Sequence, residues 1–160
     1  VSDAIHLQAA QEFLKQGRPD EAGREIEQLS SEHDEHPEVL ETRWEVFAQA
    51  AQWQPALKTA EAFRRIAPEN QLSWMYHACS LTELGQVSEA YEILSTAFSQ
   101  FPKVPPIAYN LACTACKLGR FKDASRWLAR TIEIGGRAEV KLMALDDPDL
   151  APLLDEICAL

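Results

Sequence analysis

Apolar residues recur along this 160-residue chain at the spacing of amphipathic helices. One stripe, with members three and four residues apart, comprises Ile107, Leu111, Ala115 and Leu118. A second stripe comprises Phe121, Ala124, Leu128 and Ile132. Such spacing places each set on one helical face, and Gly119 interrupts the pattern between them. Gly135 and Gly136 follow the second stripe and end it, because glycine adopts the left-handed C-terminal conformation without steric cost. The pattern predicts two antiparallel helices joined by a glycine turn.

The same pair of helices recurs four times without insertion. Equivalent small positions, 34 residues apart, are Ala22, Ala56, Ala90 and Ala124. The equivalent turn positions hold Gly17, Ala51, Gly85 and Gly119. The copies are residues 3–36, 37–70, 71–104 and 105–138. Repetition at this period indicates stacked helical hairpins with one continuous core. We therefore expect a single all-α domain over residues 1–160.

Two segments identify a family that these hairpins resemble. They are YNLACTACKLGRFKDASRWLARTIEI, residues 109–134, and WMYHACSLTELGQVSEAYEILSTAFSQFP, residues 74–102. Both resemble the tetratricopeptide repeat, and the second matches its signature at Trp74, Ala78, Leu81, Gly85, Ala90, Ala97 and Pro102. The resemblance covers 136 of the 160 residues, 3–138. It implies a right-handed α-solenoid of four repeats and a role in binding other proteins.

The second copy departs most from the family pattern. Trp44 stands where a small residue is usual, and Ala60 stands where a large one is expected. Cores tolerate exchanges that conserve volume. We therefore predict that the Trp44 ring fills the space that Ala60 leaves.

Residues 139–160 are predicted to cap the solenoid. Val140, Leu142, Met143 and Leu145 indicate a short helix, and a final helix is expected from about Leu150 to Ala159. Asp147 supplies an N-cap and Pro148 the first helical position. The residues expected to face inward are Leu150, Leu153, Leu154 and Ile157. The segment DDPDLAPL resembles one that often follows repeats in bacterial proteins of the family, which favours a bacterial source.

Charge and composition limit the classes of partner that we expect. The formal charge is −10, with 14 acidic and 7 basic residues in 1–70 and 11 acidic and 8 basic residues in 71–160. Nucleic-acid affinity depends on cationic contacts to phosphate, so a nucleic-acid partner is not expected. Neither a signal peptide nor an apolar run of about 18 residues is found, so no membrane partner is expected. The four cysteines lack a disulfide spacing and are interpreted as reduced thiols of a cytoplasmic protein.

The resemblance implies a peptide-binding groove lined by the first helix of each hairpin. The groove residues carried over are Glu38, Glu41, Glu45, Met75, Tyr76, Cys79, Tyr109, Asn110, Cys113 and Lys117. Asn110 stands where family members often use asparagine to hydrogen-bond a peptide backbone. The three glutamates favour a ligand with basic residues, and aromatic and methionine side chains are common apolar anchors. The alternative is that the glutamates form a solvated face and that Met75, Tyr76 and Tyr109 pack on neighbouring helices.

One family ligand is not expected. Members that bind chaperone tails grip a terminal carboxylate with Lys, Asn and Arg over three repeats. The corresponding positions of the first three repeats hold Leu7, Gln11, Thr42, Leu72 and Tyr76. Those of the last three hold Glu41, Glu45, Tyr76, Pro106 and Asn110. Neither set supplies the cations that a carboxylate needs.

Two clusters offer metal ligands. Cys113 and Cys116 lie on one helical face with Cβ atoms roughly 5–6 Å apart, which is longer than the roughly 3.5–4.5 Å of a disulfide. With Cys79 they form a possible thiolate site, although small apolar filling explains all three. His33 and His36 offer a second site in a polar turn.

A basic pattern occurs in the second helix of the last hairpin, where Lys122, Arg126 and Arg130 recur every fourth residue. These residues either dock an acidic partner or phosphate, or form a salt-bridged face.

No motif of a nucleotide-binding loop, metalloprotease or serine hydrolase is present. The sequence therefore predicts a non-catalytic scaffold that needs no cofactor and binds a peptide segment in its groove. A secretion-type chaperone, a thiolate metal-binding protein and a self-associating structural protein are the alternatives. The partner and the oligomeric state are left open.

Overall fold

A computed structural model describes residues 2–160. Every regular element in that range is helical, and no strand forms there. The α-helices are α1 (Ser2–Lys15), α2 (Pro19–Ile26), α3 (Pro37–Gln49), α4 (Trp53–Ile66), α5 (Gln71–Glu83), α6 (Val87–Gln100), α7 (Pro105–Lys117), α8 (Phe121–Gly135), α9 (Arg137–Leu145) and α10 (Leu154–Ala159). Two 3₁₀ helices cover Ser31–His33 and Pro148–Leu153. The predicted all-α fold class is confirmed. Across residues 2–160, no helix combines the length and the apolarity that crossing a bilayer demands.

The chain divides into two compact units. The first unit runs to Leu84 and contains α1 to α5, and the second runs from Gly85 to Leu160 and contains α6 to α10. The division falls at the turn of the third predicted repeat. The single domain over residues 1–160 stays a prediction.

The turns between paired helices fall at the predicted positions. Gly17, Gly85 and Gly119 have positive φ angles of 68°, 81° and 72°. Ala51 has a φ of 53° and is the one residue other than glycine with a positive φ in 2–160. A side chain in this region crowds the following carbonyl oxygen. The second turn is therefore strained where the other three are not.

The core of the first unit confirms the predicted exchange of volume. Trp44 packs against Ala56 and Ala60 in one buried cluster. Its indole Nε1 donates a hydrogen bond to Ser80 Oγ at 2.9 Å. Its ring stacks on Tyr76 with centroids 3.8 Å apart and planes 8° apart. The Trp44 side chain is therefore fixed by packing, by a hydrogen bond and by ring stacking.

The core of the second unit includes the C-terminal residues. Leu150, Leu153 and Ile157 are buried in a cluster with side chains of α7 and α8. Asp147 Oδ1 accepts a hydrogen bond from the Asp149 backbone N–H at 2.9 Å, which confirms the predicted N-cap.

Two side-chain predictions for the second unit are wrong. Leu154, predicted to face inward, is 44% exposed. The predicted final helix begins as a 3₁₀ helix that contains Pro152, and its tighter winding turns the next residues off the expected face. Phe121, predicted in the apolar stripe of α8, is 49% exposed at the first position of that helix.

Candidate functional site

A cleft of about 430 Å³ lies between α1 and α3 in the first unit. Its lining comprises Gln11, Leu14, Lys15, Glu38, Glu41, Thr42, Glu45 and Gln49. The three glutamates are three and four residues apart on α3, so they project from one face of the helix. All three carboxylates predicted for the groove therefore line this one cleft, which we call the acidic cleft.

Side-chain hydrogen bonds hold the two walls of the acidic cleft together. Gln11 Nε2 donates to Glu38 Oε1 at 3.3 Å and to Thr42 Oγ1 at 3.4 Å. Near the other end of the cleft, Gln49 Nε2 donates to the Leu14 carbonyl at 3.2 Å. Because both ends of α3 are tied to α1, the cleft is formed before any ligand arrives.

The acidic cleft has an unbalanced negative charge. Within residues 2–160, no lysine or arginine lies within salt-bridge distance of the three glutamates. One lysine, Lys15, lines the cleft and pairs with Glu12 at 3.6 Å, so a single exposed ammonium stands against three carboxylates. Partial burial raises the pKa of Glu41, and the neighbouring carboxylates of Glu45 and Glu38 raise it further. A cation bound here would offset both effects, because a nearby positive charge favours the ionised carboxylate.

The predicted apolar anchors on α5 belong to the same unit. Tyr76 donates its hydroxyl to Glu45 Oε1 at 3.1 Å and so joins the acidic cleft. Burial, followed by the charges of Glu45 and Glu41, raises the pKa of Tyr76 and keeps the phenol protonated. Met75 is half-buried and Cys79 is exposed. The stack on Trp44 makes Tyr76 a rigid apolar surface beside the carboxylates.

The predicted groove residues on α7 lie in a different environment. Tyr109 is only 8% exposed, and its hydroxyl donates to Asp147 Oδ2 at 2.7 Å. Lys117 Nζ pairs with Asp149 Oδ1 at 2.8 Å. Cys113 is buried with its sulfur 3.8 Å from Asp147 Oδ2, and Asn110 is half-buried. The C-terminal segment therefore covers the face of α7 on which a peptide was expected.

Sequence reasoning missed Asp147 and Asp149 as partners of α7. It recognised the Asp-Pro-Asp segment as a helix cap, which is a local signal, and the contact with Tyr109 spans 38 residues. The sequence did contain one clue. The predicted groove face of α7 has a hydroxyl donor, Tyr109, and an ammonium, Lys117, and the C-terminal segment has two acids that could bind them.

The group of potential metal ligands that the structure brings together is not one of the predicted groups. In 2–160, one set of at least three potential ligands has its donor atoms within 4.8 Å of one another: Cys113, Asp147 and Asp149. Tyr109 and Lys117 already bind these two carboxylates. Burial, followed by the charges of Asp147 and Asp149, raises the pKa of the Cys113 thiol, which opposes the thiolate that a metal requires. Cys79 lies in the other unit, and the ring of His33 contacts Asp3 and Ser30.

Comparisons with known proteins agree with the helical-hairpin fold. A model of the tetratricopeptide repeat family matches residues 81–145. No curated protein matches the chain. Similar solved structures include a fragment of MamA from Desulfovibrio magneticus RS-1, 15% identical with a TM-score of 0.75, covering 99% of this chain and 92% of that one. The thermophilic tetratricopeptide repeat protein TTC0263 of Thermus thermophilus is 16% identical, with a TM-score of 0.74 and coverage of 98% and 95%. At these identities the likeness concerns the fold alone.

Proposed function

We propose that this chain, a tetratricopeptide repeat protein, is a non-catalytic interaction scaffold that binds a basic segment of a partner protein in the acidic cleft. The observation that carries the proposal is a preformed cleft in which Glu38, Glu41 and Glu45 have no cationic partner among residues 2–160. A lysine or arginine of the partner would supply the missing charge.

The electrostatics favour a basic segment over a neutral one. Carboxylates held together in a partly buried cleft repel one another, and the pKa of Glu41 is raised first by burial and then by the charges of Glu45 and Glu38. An incoming ammonium or guanidinium forms charge-assisted hydrogen bonds with these oxygens and removes the repulsion. The first unit as a whole has 15 acidic and 7 basic residues, a formal charge of −8, which attracts such a segment from a distance.

An apolar residue beside the basic one completes the proposed ligand. Tyr76 is fixed by its stack on Trp44 and reaches the acidic cleft through Glu45. Rigid aromatic side chains provide large contact area at low entropic cost and are frequent anchors of interfaces. Met75, on the same helix, adds a deformable apolar surface.

The covered face of α7 supports placing the site in the first unit. A peptide in contact with Tyr109 or Cys113 would have to displace Leu150, Leu153 and Ile157 from the core. Exposing each of these side chains costs about 1.5–3 kcal/mol. Peptide contact by Tyr109, Asn110, Cys113 and Lys117 stays a prediction that requires this displacement, whereas binding at the acidic cleft requires none.

Affinity capture from a lysate of the source cells tests the proposal. The native protein is compared with an E41K/E45K variant and with an E61K/E69K control, in which two exposed acids outside the acidic cleft undergo the same change of charge. We expect a partner that is retained by the native protein and the control and lost with E41K/E45K. Peptides of that partner that cross-link to α3 should carry lysine or arginine. Retention of the same partner by E41K/E45K, with unchanged helicity by circular dichroism, would reject the acidic cleft as its site.

A further inference from the structure

The second unit has a cleft of its own, formed by side chains of α6 and α8. Its volume is about 360 Å³, and its lining comprises Tyr91, Phe98, Asp123, Arg126, Trp127 and Arg130. Two of the three residues in the basic pattern of α8 line it, while Lys122 does not. We call it the arginine cleft.

The aromatic floor of the arginine cleft is rigid. Trp127 Nε1 donates a hydrogen bond to the Tyr91 hydroxyl oxygen at 2.9 Å. The ring of Phe98 meets Trp127 edge to face, with centroids 4.9 Å apart and planes 76° apart. These contacts fix three aromatic side chains from two helices, so a ligand would meet a prepared surface.

Hydrogen-bond donors outnumber acceptors around this floor. The Tyr91 oxygen accepts from Trp127, and nothing in residues 2–160 accepts the hydroxyl hydrogen of Tyr91. Arg126 and Arg130 each present a guanidinium with five N–H donors. Asp123 is the sole carboxylate among the lining residues.

The ion pairs of the two arginines leave them able to bind a ligand. Arg126 pairs with Asp123 at 3.3 Å while its side chain is 79% exposed, and Arg130 pairs with Glu133 at 2.7 Å. Exposed pairs three residues apart on a helix contribute about 0–1 kcal/mol. A ligand carboxylate can therefore compete with Asp123 and Glu133 for the guanidinium groups at little cost.

The aromatic faces argue against a cationic ligand. The Arg130 guanidinium lies 5.9 Å from the centroid of the Phe98 ring, and that of Arg120 lies 5.3 Å from the Tyr91 ring. The rings of Phe98 and Tyr91 therefore each already face a cation. A further positive charge would be repelled, whereas a negative charge is attracted by Arg120, Arg126 and Arg130 together.

We propose that the arginine cleft is a second docking surface, which binds an acidic segment of a partner protein. A carboxylate of that segment lies between Arg126 and Arg130 and accepts from Tyr91, and an adjacent aromatic or large aliphatic side chain packs on Trp127. The scaffold then offers two surfaces of opposite preference: basic segments bind the first unit and acidic segments the second. This inference rests on neither the acidic cleft nor its proposed ligand.

A titration followed by two-dimensional NMR tests the arginine cleft directly. The four tryptophans give four indole N–H signals, and the signal lost in W127F is that of Trp127. The probe is a peptide of about a dozen residues with one central phenylalanine flanked by glutamates, and the matched probe has lysines in place of the glutamates. We expect the glutamate peptide to shift the Trp127 signal saturably and the lysine peptide to leave it unmoved.

Paired arginine variants connect the shift to the cleft. R126Q/R130Q should weaken binding of the glutamate peptide about tenfold or more, a loss of roughly 1.4 kcal/mol or more. R64Q/R65Q removes the same charge from α4 in the first unit and should leave the affinity unchanged. If the double variant loses helicity, the single variant R126Q is measured in its place and should also weaken binding of the glutamate peptide. The side chain of Arg126 is exposed, so its replacement removes no core packing.

Four results would overturn the proposal. They are the absence of a saturable shift, an equal affinity in R126Q/R130Q and the native protein, a matching shift with the lysine peptide, and a matching shift with inorganic phosphate alone. The last would indicate a general anion site without specificity for a peptide. None of these results bears on the acidic cleft, because each is a shift of the Trp127 signal in the second unit or an affinity for the glutamate peptide.

Discussion

Helices α3 and α7 occupy the same place in repeats that lie two periods apart, and they meet opposite surroundings. Glu41 corresponds to Tyr109 and Glu45 corresponds to Cys113. On α3 these positions line an open cleft of carboxylates. On α7 they are buried beneath the C-terminal segment, where Asp147 receives the Tyr109 hydroxyl.

The difference shows what a repeat position does and does not determine. The 34-residue period determines which residues of α3 and α7 are equivalent. Because side chains four residues apart share a helical face, the equivalent residues form the same face of each helix. The chemistry at that face decides what binds it. On α7, a hydroxyl and the ammonium of Lys117 bind acids that the chain itself supplies. On α3, Glu45 and Glu38 accept hydrogen bonds from Tyr76 and Gln11, but no lysine or arginine among residues 2–160 pairs with the three acids. A basic partner protein is the proposed source of that charge.

The largest expected effect comes from uncovering α7. L150A removes a side chain that is fully buried in the second unit and should lower the free energy of unfolding by about 2–5 kcal/mol. L154A truncates a nearby leucine whose side chain is exposed, and it should change the free energy by less than about 0.5 kcal/mol. Urea unfolding followed by circular dichroism measures both. Similar effects for the two variants would mean that the C-terminal segment does not pack on α7 as described.

The hydrogen bond from Tyr109 to Asp147 should contribute less. Y109F keeps the ring and removes the donor, which should cost about 1.5–3 kcal/mol because the acceptor is charged. Y76F is the matched change on the open side, where the acceptor Glu45 lines a cleft, and its cost should be smaller. An equal loss of unfolding free energy in both variants would show that burial beneath the C-terminal segment does not strengthen the hydrogen bond of Tyr109.

The turn of the second repeat provides a test in the opposite direction. Ala51 has a φ of 53°, and its equivalent two repeats later, Gly119, has a φ of 72°. A51G should stabilise the protein by about 1 kcal/mol through relief of left-handed strain, and G119A should destabilise it by a similar amount. Thermal unfolding of both variants measures the difference. Destabilisation by A51G would show that Ala51 is unstrained.

The smallest effect concerns the charge of Glu41. Its folded-state pKa lies above 4.5, so the protonated carboxyl favours folding below pH 4.5 and that contribution is lost as pH rises through the folded pKa. E41Q does not titrate there. Its stability relative to the native protein should rise between about pH 4 and pH 7, by less than about 0.5 kcal/mol. Melting curves at both pH values measure the trend, and a fall with pH would mean that Glu41 is stabilised by a positive charge.

Local chemistry accounts for what the sequence predicted well. Glycine at the turns, Pro148 after the Asp147 cap and the spacing of apolar residues each act within one or two helical turns, and the structure has these features where expected. The spacing of the acidic trio likewise fixed its common face on α3. The exchange between Trp44 and Ala60 was predictable because it replaces volume within one hairpin.

Contacts between distant segments could not be predicted in the same way. The pairing of Tyr109 with Asp147 and that of Trp127 with Tyr91 span 38 and 36 residues. Both depend on where whole helices lie, which the pattern of one helix does not contain. The exposure of Leu154 depends on a 3₁₀ helix that the apolar spacing does not distinguish from a regular α-helix.

The most direct test of the account is a titration of the ¹⁵N-labelled protein with a peptide of alternating lysine and leucine, followed by backbone amide shifts. We predict saturable shifts on α1 and α3 and none on α7. We also predict that E41Q/E45Q weakens binding about tenfold or more, while the E61Q/E69Q control leaves it unchanged. Shifts concentrated on α7 and the C-terminal segment, or an affinity that E41Q/E45Q does not alter, would contradict the claim that the open acidic cleft is the binding site.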